Sequence, residues 1–221
     1  MTDKTKHSMV TTFKGRMTSL QVGILYGFMV KRISRGYSTA EMSFLMGYST
    51  DYIRQKEELK QIGFSFEDIH NFATALEERS WRGFSYSYEE HNKEADYLLV
   101  KTHSKVRIDL QLFRIAEDQS QTLVFQLLEE NPGYVRYPTS EAEYFQEAQA
   151  VMKVLFEGRL FYSAKTALEI YQRCRTISGN NNLDPKHIQA AIASFTSLKE
   201  FPKLKKIRSK EYGCMYEKVF E

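Results

Sequence analysis

Residues 38–57, STAEMSFLMGYSTDYIRQKE, constrain the chain more than any other stretch, because they read as two short helices around a glycine. Ser38-Thr39 followed by Glu41 is an N-cap pattern, and Ala40, Met42, Phe44 and Leu45 give the first segment one apolar side. Gly47 suits the positive φ of a sharp helix exit. Ser49 then repeats the N-cap signal, with Thr50 and Asp51 in the new first turn, and Tyr52, Ile53, Lys56 and Leu59 follow at helical spacing. Two short helices with a glycine-containing turn are the pattern of a helix-turn-helix, whose second helix enters a DNA groove.

Several positions extend this pattern. Gly36-Tyr37-Ser38 precedes the first short helix, Leu45-Met46-Gly47 ends it, and Ser49, Ile53 and Glu57 mark the second. The segment 64–76, with Phe66, Ile69, Phe72, Ala73 and Leu76 on one side, reads as a further helix. In these residues the stretch 17–78 resembles the DNA-binding domain of phage repressors of the Xre/Cro type. The resemblance implies a helical bundle that binds double-stranded DNA. The connector after Glu57, LKQIGF, departs from that family's short loop.

Composition points to a folded chain. Of 221 residues, 42% are hydrophobic and 27% charged, too apolar for wholesale disorder. Cys174 and Cys214 are too few for a disulfide framework. The longest apolar run, Val22 to Val30, is too short to span a bilayer, and no secretory leader opens the sequence, so a cytoplasmic protein is expected. The formal net charge of +3 is unevenly spread. Residues 1–60 hold ten Lys/Arg against five Asp/Glu, residues 61–198 fourteen against nineteen, and residues 199–221 seven against four. Basic ends around an acidic middle suggest polyanion contact at both ends.

Read in order, the chain predicts a loose tail over 1–16 and a helix-turn-helix domain over 17–79. Thr18 or Ser19 caps its first helix, with Leu20, Ile24, Leu25, Phe28 and Ile33 inward; Ser65 caps its fourth. A small β-rich segment is expected over 80–138, from Phe84–Tyr88, Val106–Leu112 and Thr122–Leu128, with a hairpin turn at Glu117–Gln121. Over 139–221 helices resume from Ser140 and from Ser163, and Asp184-Pro185 marks a clean helix start. Extended pieces at Leu204–Arg208 and Tyr212–Phe220 close the chain. Helix, helix, helix, basic hairpin is the order of a winged helix, with Lys203, Lys205, Lys206, Arg208 and Lys210 on the wing. The fold class expected is therefore α+β and mostly α: an N-terminal helix-turn-helix bundle, a small central antiparallel sheet, and C-terminal helices with a hairpin.

The DNA-contacting candidates follow from this reading. Arg54 and Gln55 carry the donor and acceptor sets that read guanine and adenine edges, with Tyr48, Ser49 and Thr50 at the start of the same helix. Helix three is neutral overall, so phosphate contact falls to Lys31, Arg32 and Arg35, and to Lys205, Lys206 and Arg208. Lys31, Arg32 and Arg35 also suit the negative end of a helix dipole. No catalytic constellation, cofactor loop or metal spacing is evident; His91 lies beside Glu89, Glu90 and Glu94, and His103 follows twelve residues later, without such a spacing. The expected protein is a non-enzymatic, sequence-specific binder of double-stranded DNA, a transcriptional regulator by that likeness, dimerising through its middle or C-terminal part. The rival is a non-catalytic protein-binding module of inhibitor or immunity type that uses the helix-turn-helix as scaffold.

Overall fold

The computed structural model describes residues 9–78, 93–179 and 183–221. They divide into two compact units, and the division falls inside the stretch 38–57. The first unit holds residues 1–38 and 53–134; the second holds 39–52 and 135–221.

The first unit opens with a strand where a loose tail is expected. Strand β1 (Met9–Thr18) alternates, with Phe13 and Met17 turned inward and Lys14 and Arg16 outward. It pairs antiparallel with β2 (Glu94–His103), which pairs with β3 (Arg107–Ile115), which pairs with β4 (Gln121–Glu130). Among the described residues the sheet order is therefore β1-β2-β3-β4, with β1 and β4 as edges. The turn between β3 and β4 closes through Gln119 at φ 65°. The expected strand Phe84–Tyr88 lies outside the described residues.

Helix α1 (Ser19–Ser34) follows β1 without a loop. Thr18 caps it in a reciprocal box: its hydroxyl accepts from Gln21 N at 3.2 Å, and its own N–H donates to Gln21 Oε1 at 2.8 Å. Val22, Leu25 and Met29 pack on the inner sheet face with Tyr97, Leu99, Ile108, Leu110, Leu112 and Phe125. The buried stripe differs from the expected one, for Leu20 is exposed and Arg32 is buried. On its other side, the Phe28 ring stacks on that of Phe64 at 4.1 Å and lies tilted against that of Phe72 at 4.0 Å. Phe72 belongs to α4 (Phe66–Ala75), capped by Ser65 and Asp68. Each such buried side chain contributes roughly 1.5–3 kcal/mol. Phe66, expected inside, is 80% exposed.

The second unit gathers the remaining helices and a three-stranded sheet. Helix α5 (Pro138–Glu157) leads through a 3-10 turn at Leu160–Tyr162 to the short strand β5 (Lys165–Thr166). Helix α6 (Ala167–Ser178) starts there, with Thr166 and Glu169 as its capping box, four residues beyond the expected Ser163 start. Helix α7 (Pro185–Thr196) begins at Asp184-Pro185, and β6 (Lys203–Ser209) and β7 (Gly213–Val219) form a hairpin. β7 lies in the middle, so the sheet order is β5-β7-β6. Helix α2 (Thr39–Leu45) joins this unit and packs on α6 and α7.

These findings overturn the expected N-terminal helical bundle with only a small sheet. Four strands of nine or ten residues build the first unit, and the N-terminal residues supply one of them. The two helices of the presumed helix-turn-helix do not share a core. Helix α2 packs in the second unit, while α3 (Tyr52–Glu57) carries Ile53 and Glu57 into the first. Their partnership was set by which apolar face found which core.

Candidate nucleic-acid interface

The candidate cations separate into engaged and open groups. Arg32 is fully buried in the first unit. Its Nε and Nη2 each donate to Glu57 at 2.7 Å, and Nη1 and Nη2 donate to Glu129 at 2.8 and 3.1 Å. Nη1 also donates to the Tyr37 carbonyl at 2.7 Å. This fork ties α1 to α3 and β4, and it leaves the guanidinium no route to a phosphate. Burial pushes the Glu57 carboxyl up, against the pull of Arg32. The sequence held a signal for this role: Arg32 stands seven residues after Leu25 and three after Met29, on the inward stripe of α1.

Lys31 pairs with Glu78 at 3.1 Å, and Arg35 donates to the Leu76 carbonyl at 3.0 Å. Both thus fasten the end of α1 to the end of α4. Arg54 is exposed in α3, and Gln55 beside it accepts from Gln61. Glu58 is buried between Lys60 at 2.7 Å and Lys101 at 3.3 Å. Burial raises its carboxyl, but the two ammoniums more than offset that and hold it below its ordinary value.

Tyr48, Ser49 and Thr50 fall in the second unit, in the loop between α2 and α3. Ser49 and Thr50 are exposed, and the Tyr48 ring sits 4.3 Å from that of Tyr52. Helix α3 begins at Tyr52, so Ser49 is not its immediate N-cap. Gly47 has φ +75°, and its carbonyl accepts from Cys214 N at 2.7 Å. A Cβ on Gly47 would lie 2.7 Å from the Tyr212 carbonyl oxygen. The glycine therefore serves a close backbone approach to β7 as well as a helix exit.

The open group lies on β6 and its turn. Lys205, Lys206, Arg208 and Lys210 are exposed and, among the described residues, form no ion pair. Leu204 anchors the strand inward, and Lys203 lies over the Phe201 ring at 4.7 Å. Lys205 stands across from Glu217, which tempers one charge of the set. Helix α7, the helix before this hairpin, starts among acids. Glu41 accepts from Lys186 N at 3.1 Å, and Glu141 takes Lys186 Nζ at 2.7 Å and His187 Nε2 at 3.0 Å. Asp184 N donates to His187 Nδ1, so Nε2 carries the ring proton and donates to Glu141. A groove of about 580 Å³ runs beside these residues between α5 and α7, walled by Pro138, Ala142, Phe145 and Ala190.

The structure thus places Lys31, Arg32, Arg35, Arg54 and Gln55 in one unit, and Tyr48, Ser49, Thr50, Lys205, Lys206 and Arg208 in the other. Among the described residues no His, Cys, Asp and Glu cluster could hold a metal, and no helix is long and apolar enough to cross a membrane. His91 lies outside the described residues. Comparison with family models, with curated proteins and with solved structures finds no match.

Proposed function

We propose that the second unit binds double-stranded DNA through the β6–β7 hairpin, and that the protein regulates transcription by doing so. The observation that carries the reading is the set of exposed cations Lys205, Lys206, Arg208 and Lys210 on the β6–β7 hairpin, which among the described residues form no ion pair. That hairpin closes a helix–strand–helix–helix–strand–strand unit whose last strand is central, the connectivity of winged helices. The link from connectivity to regulation is one of fold-level analogy. A two-stranded ribbon fits a DNA groove, and Arg208 near its turn can pair bidentately with guanine. Phosphates meet the hairpin rather than the start of α7, because Glu41, Glu141 and Asp184 make that helix end electronegative and occupy Lys186.

The test is fluorescence anisotropy with a labelled duplex over a range of salt concentrations. Replacing Lys205, Lys206 and Arg208 together by Ala is expected to flatten the slope of log affinity against log salt by about two to three units, near 0.9 per lost phosphate contact. Arg54→Ala, in the first unit, is expected to leave the slope unchanged. Absence of salt-sensitive binding, or an unchanged slope in the triple variant, refutes the proposal.

A further inference from the structure

The two edges of the four-stranded sheet are built differently. β1 carries Lys14 and Arg16 outward, and charges of that kind discourage a second strand from adding on. β4 has no charge from Gln121 to Leu128, although Leu123, Val124 and Leu128 are 49, 42 and 52% exposed. It contains no proline, and its only irregularity is one register shift opposite Leu112 and Phe113. Among the described residues no strand pairs with the free side of β4, and the N–H and C=O groups that alternate residues offer there, beside exposed apolar side chains, form a template for another extended strand.

We propose that a second copy of this chain pairs antiparallel along β4, joining two four-stranded sheets into one of eight strands. The identity of the occupant rests on self-complementarity and charge. Antiparallel pairing of a strand with itself is two-fold, so one patch serves both copies and the assembly closes as a dimer. After the register shift, Gln126 and Leu128 point to the outer face and Phe125 and Leu127 to the inner. A two-fold axis at Gln126 sets Leu128 of each copy against the partner's Val124 on the outer face. It sets Phe125 against the partner's Leu127 on the inner face, extending the apolar core across the junction. Glu129 and Glu130 of the two copies are then kept at opposite ends. Each pair comes near the partner's Thr122, which is flanked in its own sheet by the exposed Arg114. Parallel pairing would bring the glutamates together. This inference is independent of DNA binding.

Sedimentation velocity on the full chain over roughly 1–100 μM tests it. The expected result is a dimer that Leu128→Lys and Val124→Lys each weaken at least tenfold, while circular dichroism shows the fold retained. Lys14→Glu, on the opposite edge, is expected to leave the dimer unchanged. Gln126→Cys supplies a second readout, since residues at the two-fold axis are close enough to form an intersubunit disulfide on mild oxidation. The native cysteines are buried and do not compete. A monomer at 100 μM overturns the proposal. So does a dimer that ignores both lysine substitutions and fails to cross-link through Cys at 126, which would place the interface elsewhere. An edge that captures only a foreign extended peptide, with the chain itself monomeric, overturns it equally.

Discussion

Replacing Arg32 by Met is expected to be among the most damaging single changes in the first unit. The side chain is fully buried, and it is the cation that Glu57 and Glu129 both contact. Removing it leaves Glu57 without its bidentate partner inside the protein. Breaking a buried pair from one side costs about 3–5 kcal/mol, because the remaining charge is desolvated and uncompensated. For a domain of this size that corresponds to a drop in melting temperature on the order of 10–30 °C. The loss is expected to depend on pH in a definite direction. Burial already pushes the Glu57 carboxyl up, and without Arg32 nothing nearby of equal strength opposes it. A folded-state pKa above the unfolded value means that the folded variant holds a proton the unfolded chain has released. The deficit relative to the native protein is therefore smallest below the unfolded carboxylate pKa of about 4.3, and it grows as pH rises toward neutrality. The assay is chemical denaturation by circular dichroism at pH 4.5 and pH 7.5, with hydrogen exchange on α1 assigning the transition to the first unit. Pairing Arg32→Met with Glu57→Leu is expected to recover most of the loss, since an apolar pair of similar volume tolerates burial where a lone charge does not. A loss below about 1 kcal/mol, or one equally large at both pH values, would refute the view that this ion cluster holds α1, α3 and β4 together.

Three further outcomes are expected. Gly47→Ala forces a side chain into a left-handed conformation and against the Tyr212 carbonyl, so a loss of about 2–4 kcal/mol is expected, with faster amide exchange at Cys214 as the local signature. Thr166→Ala removes one half of the α6 capping box and should lower stability by about 1 kcal/mol, read by urea denaturation. Burial pushes the Cys174 thiol up to about 12, so at pH 8 it should resist a thiol reagent in the folded protein and react promptly once urea unfolds it.

Elements whose signals are local were legible in the amino-acid order. Thr18 and Ser65 cap α1 and α4, Asp184-Pro185 opens α7, and Gly47 takes its positive φ, because each of these depends on side chains within about four residues. The alternation in Val106–Leu112 and the β-rich run Thr122–Leu128 likewise mark the strands β3 and β4 on their own. β1 shows where such reading stops: its alternation around Phe13 and Met17 is short, and only β2, some eighty residues later, turns it into a strand. The same holds for the candidate site. Lys205, Lys206 and Arg208 could be read as exposed basic residues, since four cations stand within the six residues from Lys203 to Arg208, more charge than a buried strand accommodates. Arg32 differs from Lys31 and Arg35 in sequence only by its place on the inward stripe of α1, and its partners could not be read there, because Glu57 and Glu129 arrive from 25 and 97 residues away. Local order determined the caps, turns and strand periods. The pairing of α2 with α6 and α7, and of α3 with Arg32, was decided by tertiary structure, where burying an apolar face outweighs the few tenths of a kcal/mol that distinguish one local pattern from another.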